Sequence, residues 1–205
     1  MPHGIRWLVK RSVLALAVLI VSPLIALARL ERALAGSEHL FVACGQALAL
    51  LPGRSGSFLR LGYYRFTLRE CSTDAIVGFG SYFSHHQARL GRNVSIGAYC
   101  VLGMADIGDE VMIASRVSIP SGKRQHLDAD GQITRASHLE SVSIGRSSWV
   151  GEGVIVLASV GEACIVSAGA VVLKEMPPRS LVGGNPAKVV RELGPAPDVQ
   201  SAPPS

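Results

Sequence analysis

Leu90-Gly91-Arg92-Asn93-Val94-Ser95, Ile96-Gly97-Ala98-Tyr99-Cys100-Val101 and Leu102-Gly103 state one phrase twice and begin it a third time. An aliphatic residue leads each hexad, glycine follows, and a small residue stands fifth. After a one-residue contraction the phrase resumes at Ile107-Gly108-Asp109-Glu110-Val111-Met112, Ile113-Ala114-Ser115-Arg116-Val117-Ser118 and Ile119. It returns at Ile144-Gly145, Val150-Gly151 and Val156, and once more at Val160-Gly161, Val166-Ser167 and Val172. A period of six is even and therefore fits strands, and glycine after the aliphatic residue suits a corner that a side chain would obstruct. The hexads come in threes, so three short strands and three corners make one triangular coil. Stacked coils bury the leading aliphatics in one continuous core, with small fifth residues such as Val94, Cys100, Val111, Val117, Val154, Cys164 and Ala170 closing a narrow interior. The fold expected is mainly β, a parallel solenoid.

The chain has 205 residues, 48% of them hydrophobic, which leaves room for one ordinary domain plus extras and excludes a disordered chain. Gly 22 against Phe 5 and Trp 2 agrees with a repetitive core with tight corners. The net charge of +5 is scattered or set beside apolar runs, with few aromatics for base stacking, which argues against nucleic acid as a partner. Cys44, Cys71, Cys100 and Cys164 lie far apart with no zinc-ligand spacing, so no metal site is expected and the thiols read as reduced core residues.

The N-terminal third reads as a membrane anchor over residues 1–55. Arg6, Lys10 and Arg11 precede an uncharged run from Ser12 to Ala28 that is close to the shortest length able to cross a bilayer. Ser22-Pro23 interrupts it, which predicts a kinked or re-entrant helix as readily as a straight span. A second apolar stretch, Leu40 to Pro52, completes a hairpin or lies along the surface, and Arg54, Arg60 and Arg65 flank it as basic residues on a cytoplasmic side. Ala33-Leu34-Ala35 before Gly36 also has the form of a signal-peptide cleavage site; Arg29 to Arg32 and the second apolar run fit an anchor better. Residues 56–75 read as a connecting segment, 76–193 as the solenoid, and the Pro- and Ser-rich residues 194–205 as a disordered tail.

From about Ile76 to Leu193 the chain resembles the hexapeptide-repeat acyltransferases. The likeness is strongest in Trp149-Val150-Gly151, Ser167-Ala168-Gly169-Ala170-Val171-Val172, Lys174-Glu175-Met176-Pro177-Pro178 and Gly184-Asn185-Pro186-Ala187-Lys188-Val189-Val190-Arg191. The last blocks look like the C-terminal signature of the branch containing maltose, galactoside and polysaccharide O-acetyltransferases. The resemblance implies a left-handed parallel β-helix and acetyl-CoA as acyl donor, lying in the groove between neighbouring subunits of a homotrimer. It assigns Ala168 and Gly169 to the pantetheine arm through backbone groups, with Leu173 and Lys174 beside it. Lys188 and Arg191 match positions that hold the nucleotide phosphates, where cations form charge-assisted hydrogen bonds.

Function on a solenoid is expected in loops that leave it, and the one long interruption of the hexads runs from Lys123 to Ser143. It contains Lys123-Arg124-Gln125-His126 and also His138. In the resembled family a histidine at the start of this loop is the general base; position by position that is His126, with His138 its rival. The chemistry suits an imidazole, because a sugar hydroxyl attacks a thioester only as a base takes its proton. Asp128 and Glu140 are both candidates to orient the histidine, and Lys123 and Arg124 are candidates for an acceptor phosphate. His3, His39, His85 and His86 read as ordinary exposed or satisfied side chains. The expected function is acetyl-CoA-dependent O-acylation of a glycan or lipid-linked sugar, at the cytoplasmic face of the inner membrane where a cytosolic donor and an anchor meet. The alternatives are a non-catalytic or metal-dependent solenoid like the carbonic anhydrase branch, which uses three histidines around zinc, and N-acylation of an amino sugar.

Overall fold

A computed structural model describes residues 3–128 and 130–194, with side chains from residue 8 onward. Three helices come first: α1 His3–Ala35, α2 His39–Ala49 and α3 Gly53–Thr67. The first coil is β1 Glu70–Cys71, β2 Ile76–Val77 and β3 Tyr82–Phe83, and the second is β4 Arg89–Leu90, β5 Ser95–Ile96 and β6 Val101–Leu102. The third is β7 Ala105–Ile107, β8 Met112–Ile113 and β9 Ser118–Ile119, and the fourth is β10 Val142–Ile144, β11 Trp149–Val150 and β12 Ile155–Val156. Then follow β13 Ile165–Val166, β14 Val171–Val172, β15 Ser180–Gly184 and β16 Ala187–Glu192. Strands from successive coils pair in parallel into three sheets, here called faces A (β1-β4-β7-β10), B (β2-β5-β8-β11-β13-β15, then β16) and C (β3-β6-β9-β12-β14). The contraction between Val156 and Val160 is absorbed on face A, where Val160 alone bridges Ile144 below and Met176 above.

Leading aliphatics and fifth-place residues are buried throughout: Ile107, Val150, Val166, Val94, Val154 and Ala170 are all fully enclosed. Cys71, Cys100 and Cys164 join this core as free thiols, and burial pushes the Cys71 thiol up to about 12. The glycines have a different task from the one expected. The residue that turns the chain is the fourth of the hexad, with positive φ at Asn93, Tyr99, Glu110, Arg116, Ser147, Ala163 and Arg179 as well as at Gly80, Gly153 and Gly169. The second-place glycine instead lets the next coil come close. At Gly97 an added Cβ would stand 2.6 Å from the carbonyl carbon of Ala114.

The N-terminal region departs from expectation in two ways, at residues 56–75 and at Arg60, and settles the continuity of α1, which the sequence left open. Residues 56–75 are not a connection: α3 occupies most of them and packs on β1 and β2, and the first coil begins at Glu70. α1 runs through Pro23 without a break, because the Ser22 hydroxyl donates to the Leu19 carbonyl (2.8 Å), the acceptor that proline's missing N–H leaves without its helical donor. Arg60 does not flank a membrane segment on the surface. It is 1% exposed and donates from Nε to the Val77 carbonyl at 3.0 Å and from Nη1 to the carbonyls of Leu48 (3.0 Å) and Leu51 (2.8 Å). One guanidinium thus satisfies carbonyls at the C-terminal end of α2 and ties both α2 and α3 to β2. α2 and α3 cover the open end of the first coil, and α1 packs outside them. Of the expected tail, residues 194–205, all but Gly194 lies outside the described residues.

Candidate active site

The break in the hexads becomes an excursion of residues 120–141, leaving after β9 and returning at β10, at the corner between faces C and A. Its root is fixed by Ser121, whose hydroxyl accepts from the Met104 N–H (2.9 Å) and whose carbonyl accepts from the Glu140 N–H (3.0 Å). The excursion then doubles back on itself: the His138 N–H donates to the Gln125 carbonyl and the Thr134 N–H to the His126 carbonyl, both at 2.9 Å. Leu127 and Ile133 form an antiparallel bridge beyond that. His126 and His138 therefore stand near one another on facing arms of the excursion, and both are exposed.

The two candidate orienting carboxylates are distinguished by the structure. Asp128 Oδ1 accepts the backbone N–H groups of Asp130 (3.0 Å) and Gln132 (2.8 Å), so that carboxylate braces the tip of the excursion. Glu140 lies at the root, its side chain against Gly122. Among the described residues neither forms an ion pair with His126 or His138. Arg124 Nη2 donates to the Asp128 carbonyl (3.0 Å), which turns that cation toward its own loop rather than outward, while Lys123 is exposed.

The donor candidates fall on two corners and one edge. Leu173 and Lys174 are exposed just after β14, at the same C–A corner as the excursion and two coils further on, about 10 Å along the axis at the usual strand spacing. Ala168 and Gly169 are exposed at the B–C corner between β13 and β14. Gly169 has φ of 70° and no atom within 4 Å of where a Cβ would be, so this corner presents bare backbone. Its N–H is spent on the Glu152 carbonyl of the preceding coil (2.8 Å), which leaves the Ala168 amide and the carbonyls for a ligand. Lys188 and Arg191 are exposed on β16, opposite Gly183 and Leu181, in a strand that runs antiparallel to β15. Neither forms an ion pair among the described residues. In a single chain the B–C corner and the excursion lie at opposite margins of face C, and the structure does not bring them together.

The sequence reading set aside a third group of polar residues. His85 and His86, at the C–A corner of the first coil, both direct Nδ1 at Glu38 in the α1–α2 connection: His85 to Oε2 at 3.1 Å and His86 to Oε1. Burial pushes the Glu38 carboxyl up, but the hydrogen bonds from His85 and His86 outweigh it and hold it below the usual carboxylate range. The signal for this cluster was the adjacency of two histidines at a corner, without which Glu38 looks like any polar linker residue.

No family model matches the chain. A Schizosaccharomyces pombe protein provisionally named an acetyltransferase is 35% identical over 89 residues, 42% of each chain. A Staphylococcus aureus protein of the same provisional name is 46% identical over 54 residues, 25% of this chain and 27% of that one. The chain thus spans less than half the length of the curated relatives it matches. Among solved structures, a maltose O-acetyltransferase from Clostridium difficile 630 superposes with a TM-score of 0.64 at 22% identity, covering 75% of this chain and 85% of that one. A hexapeptide-repeat acetyltransferase from Vibrio cholerae, solved with acetyl coenzyme A, gives a TM-score of 0.63 at 21% identity over the same shares. The left-handed coil is common to these structures and to this chain. By its repeat and its architecture, the chain shares the fold of these hexapeptide-repeat structures.

Proposed function

We propose that the protein is an acetyl-CoA-dependent O-acyltransferase that modifies a sugar hydroxyl of a glycan or lipid-linked saccharide, with His126 as general base. The observation that carries this reading is the single long excursion from an otherwise regular solenoid, which presents an exposed imidazole on the same corner as Leu173 and Lys174. The donor, when bound, supplies an acyl thioester. His126 then takes the proton of the acceptor hydroxyl as its oxygen forms the new C–O bond, and as imidazolium returns that proton to the sulfur when the C–S bond breaks. Ala168 and Gly169 offer bare backbone to the pantetheine arm, and Lys188 and Arg191 offer charge to the phosphates. Because these groups and the excursion stand at opposite margins of face C, a threefold arrangement that brings the loop of one chain to the corner of the next supports the homotrimer.

The apolar α1, the one described helix long and apolar enough to cross a membrane, supports placement at the inner membrane with the solenoid on the cytoplasmic side, where acetyl-CoA is found. His126→Ala lowers kcat by about 100-fold with CoA affinity kept, as removal of a general base does. Turnover is measured with labelled acetyl-CoA against a panel of sugar acceptors. Unchanged turnover overturns the assignment, and a loss confined to His138→Ala transfers the role to His138.

A further inference from the structure

α1 carries a division of its surface that a spanning helix does not need. Its buried residues Leu14, Ala17, Val21, Ile25 and Ala28 form one stripe against the rest of the chain. Leu8, Leu16, Leu19, Leu27, Leu30 and Leu34 lie on the other side, with Leu19 70% and Leu34 79% exposed. At about 100° per residue, every charged side chain of α1 from Lys10 onward falls within about 80° of the direction of Val21, so the outer half is uncharged from end to end.

The packing also runs the whole length of the helix. Near its start Lys10 pairs with Asp74 (3.1 Å), and near its end Arg29 Nε donates to the Phe66 carbonyl (2.9 Å). A span of Leu8–Ala35 is about 42 Å long at the helical rise. Behind it stand α3 and then the first coil, with its exposed Glu70 and the Arg89 that pairs with it. Turning α1 across a bilayer would carry those charges into the hydrocarbon, which is costly.

On one flank, between α1, α3 and the corner after β1, lies a cavity of about 530 Å³. Lys10, Arg11 and Arg65 line it together with Asp74, Leu14, Val18 and Phe66, so it carries three cations and one carboxylate at one end and is apolar at the other. Arg11 and Val18 sit at the margin between the inner and outer halves of α1, the height at which headgroups meet a helix lying at an interface.

We infer that α1 lies in the plane of an anionic membrane surface, its outer leucines among the acyl chains, and that the flanking cavity receives the phosphate of a lipid headgroup. This rests on the membrane placement proposed above and specifies how the membrane is met. Lys10, Arg11 and Arg65 together face the phosphate, with Asp74 at the same rim, and Leu14 and Val18 line the path of the first methylenes.

The full chain, diluted from detergent, is floated with vesicles of phosphatidylcholine alone and of phosphatidylcholine containing phosphatidylglycerol. It binds both and binds the anionic ones more tightly. Arg11→Gln with Arg65→Gln weakens binding to the anionic vesicles by about 5-fold per cation removed, and weakens binding to the neutral ones less, because the choline cation there offsets the phosphate. Excess inorganic phosphate does not compete, since a free anion lacks the chain; competition by it overturns the lipid assignment. Unchanged binding of the double variant overturns the headgroup site. Leu19→Glu with Leu30→Glu, both at exposed positions, abolishes flotation while the circular dichroism spectrum stays native. An epitope ahead of Met1 and a cysteine at His39→Cys are reached from the same side of sealed membrane vesicles; access from opposite sides shows a crossing helix and overturns the in-plane reading alone. A discrete oligomer, soluble without detergent, that floats with neither vesicle assigns the outer stripe to a second copy and overturns both this inference and the membrane placement.

Discussion

Arg60→Met keeps the length of the side chain and removes its donors. The carbonyls of Leu48, Leu51 and Val77 then lose hydrogen bonds of 2.8–3.0 Å in a site that is 1% exposed to solvent. The Leu48 carbonyl keeps the Leu51 N–H as a donor (3.2 Å), so two carbonyls are left without one, at about 2 kcal/mol each or about 4 kcal/mol in all. Against this, the charge is no longer buried, and burial is what lowers the Arg60 pKa. Exchanging a buried ion for an apolar side chain returns about 1–4 kcal/mol. The net loss is about 2 kcal/mol, which at this chain length lowers Tm by about 4–8 °C. Because Arg60 joins α2 and α3 to β2, the damage is local. Hydrogen exchange followed by mass spectrometry will show α2 and the first coil losing protection while β11 to β14 keep theirs. A variant that melts with the wild type, or one that loses protection evenly along the solenoid, refutes the view that this guanidinium holds the helices to the coil.

Three further outcomes follow from the geometry. Glu38 has a folded pKa below its usual 4.5, so it contributes stability that is present above that value and lost as pH falls through the lowered one; Tm of the wild type drops more steeply than that of Glu38→Gln over that acidic interval, and parallel curves would exclude the cluster. Lys188→Ala with Arg191→Ala weakens acetyl-CoA binding in calorimetry by about 10-fold, an effect that shrinks with added salt as phosphate pairs do; wild-type affinity removes both from the donor site. Gly97→Ala, whose Cβ would press on the Ala114 carbonyl carbon, costs about 1–3 kcal/mol of overpacking, whereas Gly153→Ala, in open space with φ of 67°, costs about 1 kcal/mol of backbone strain; equal melting temperatures would contradict the two different roles of glycine.

The solenoid was legible because its cause is periodic: Ile96, Ile113 and Val150 recur in phase, and each is buried against the same axis. The excursion was legible as the place where that phase stops. The geometry around His126 was not, because the arms of residues 120–141 are held by backbone hydrogen bonds that follow no repeat. The role of second-place glycine was misread for a related reason: its neighbour is another coil, roughly three hexads away in sequence, and a single hexad cannot show it. Arg60, Glu38, His85 and His86 escaped notice because their partners come from separate elements. Composition alone had marked Arg60 as a surface flank, and only the packing of α2 and α3 on the first coil explains why a charge is enclosed there.

The solenoid has two ends, and the chain stops each of them by a different device. At the start, α2 and α3 cover the strand edges of the first coil; at the finish, β16 turns back antiparallel on β15 and closes face B. A stack of identical rungs has no intrinsic length, and an open rung is a template for another chain. The stoppers therefore set the number of rungs and keep separate molecules from joining into a fibre. A fragment beginning at Glu70 would keep every hexad yet offer three unpaired edges on one end, and its hazard would be filament growth rather than simple unfolding.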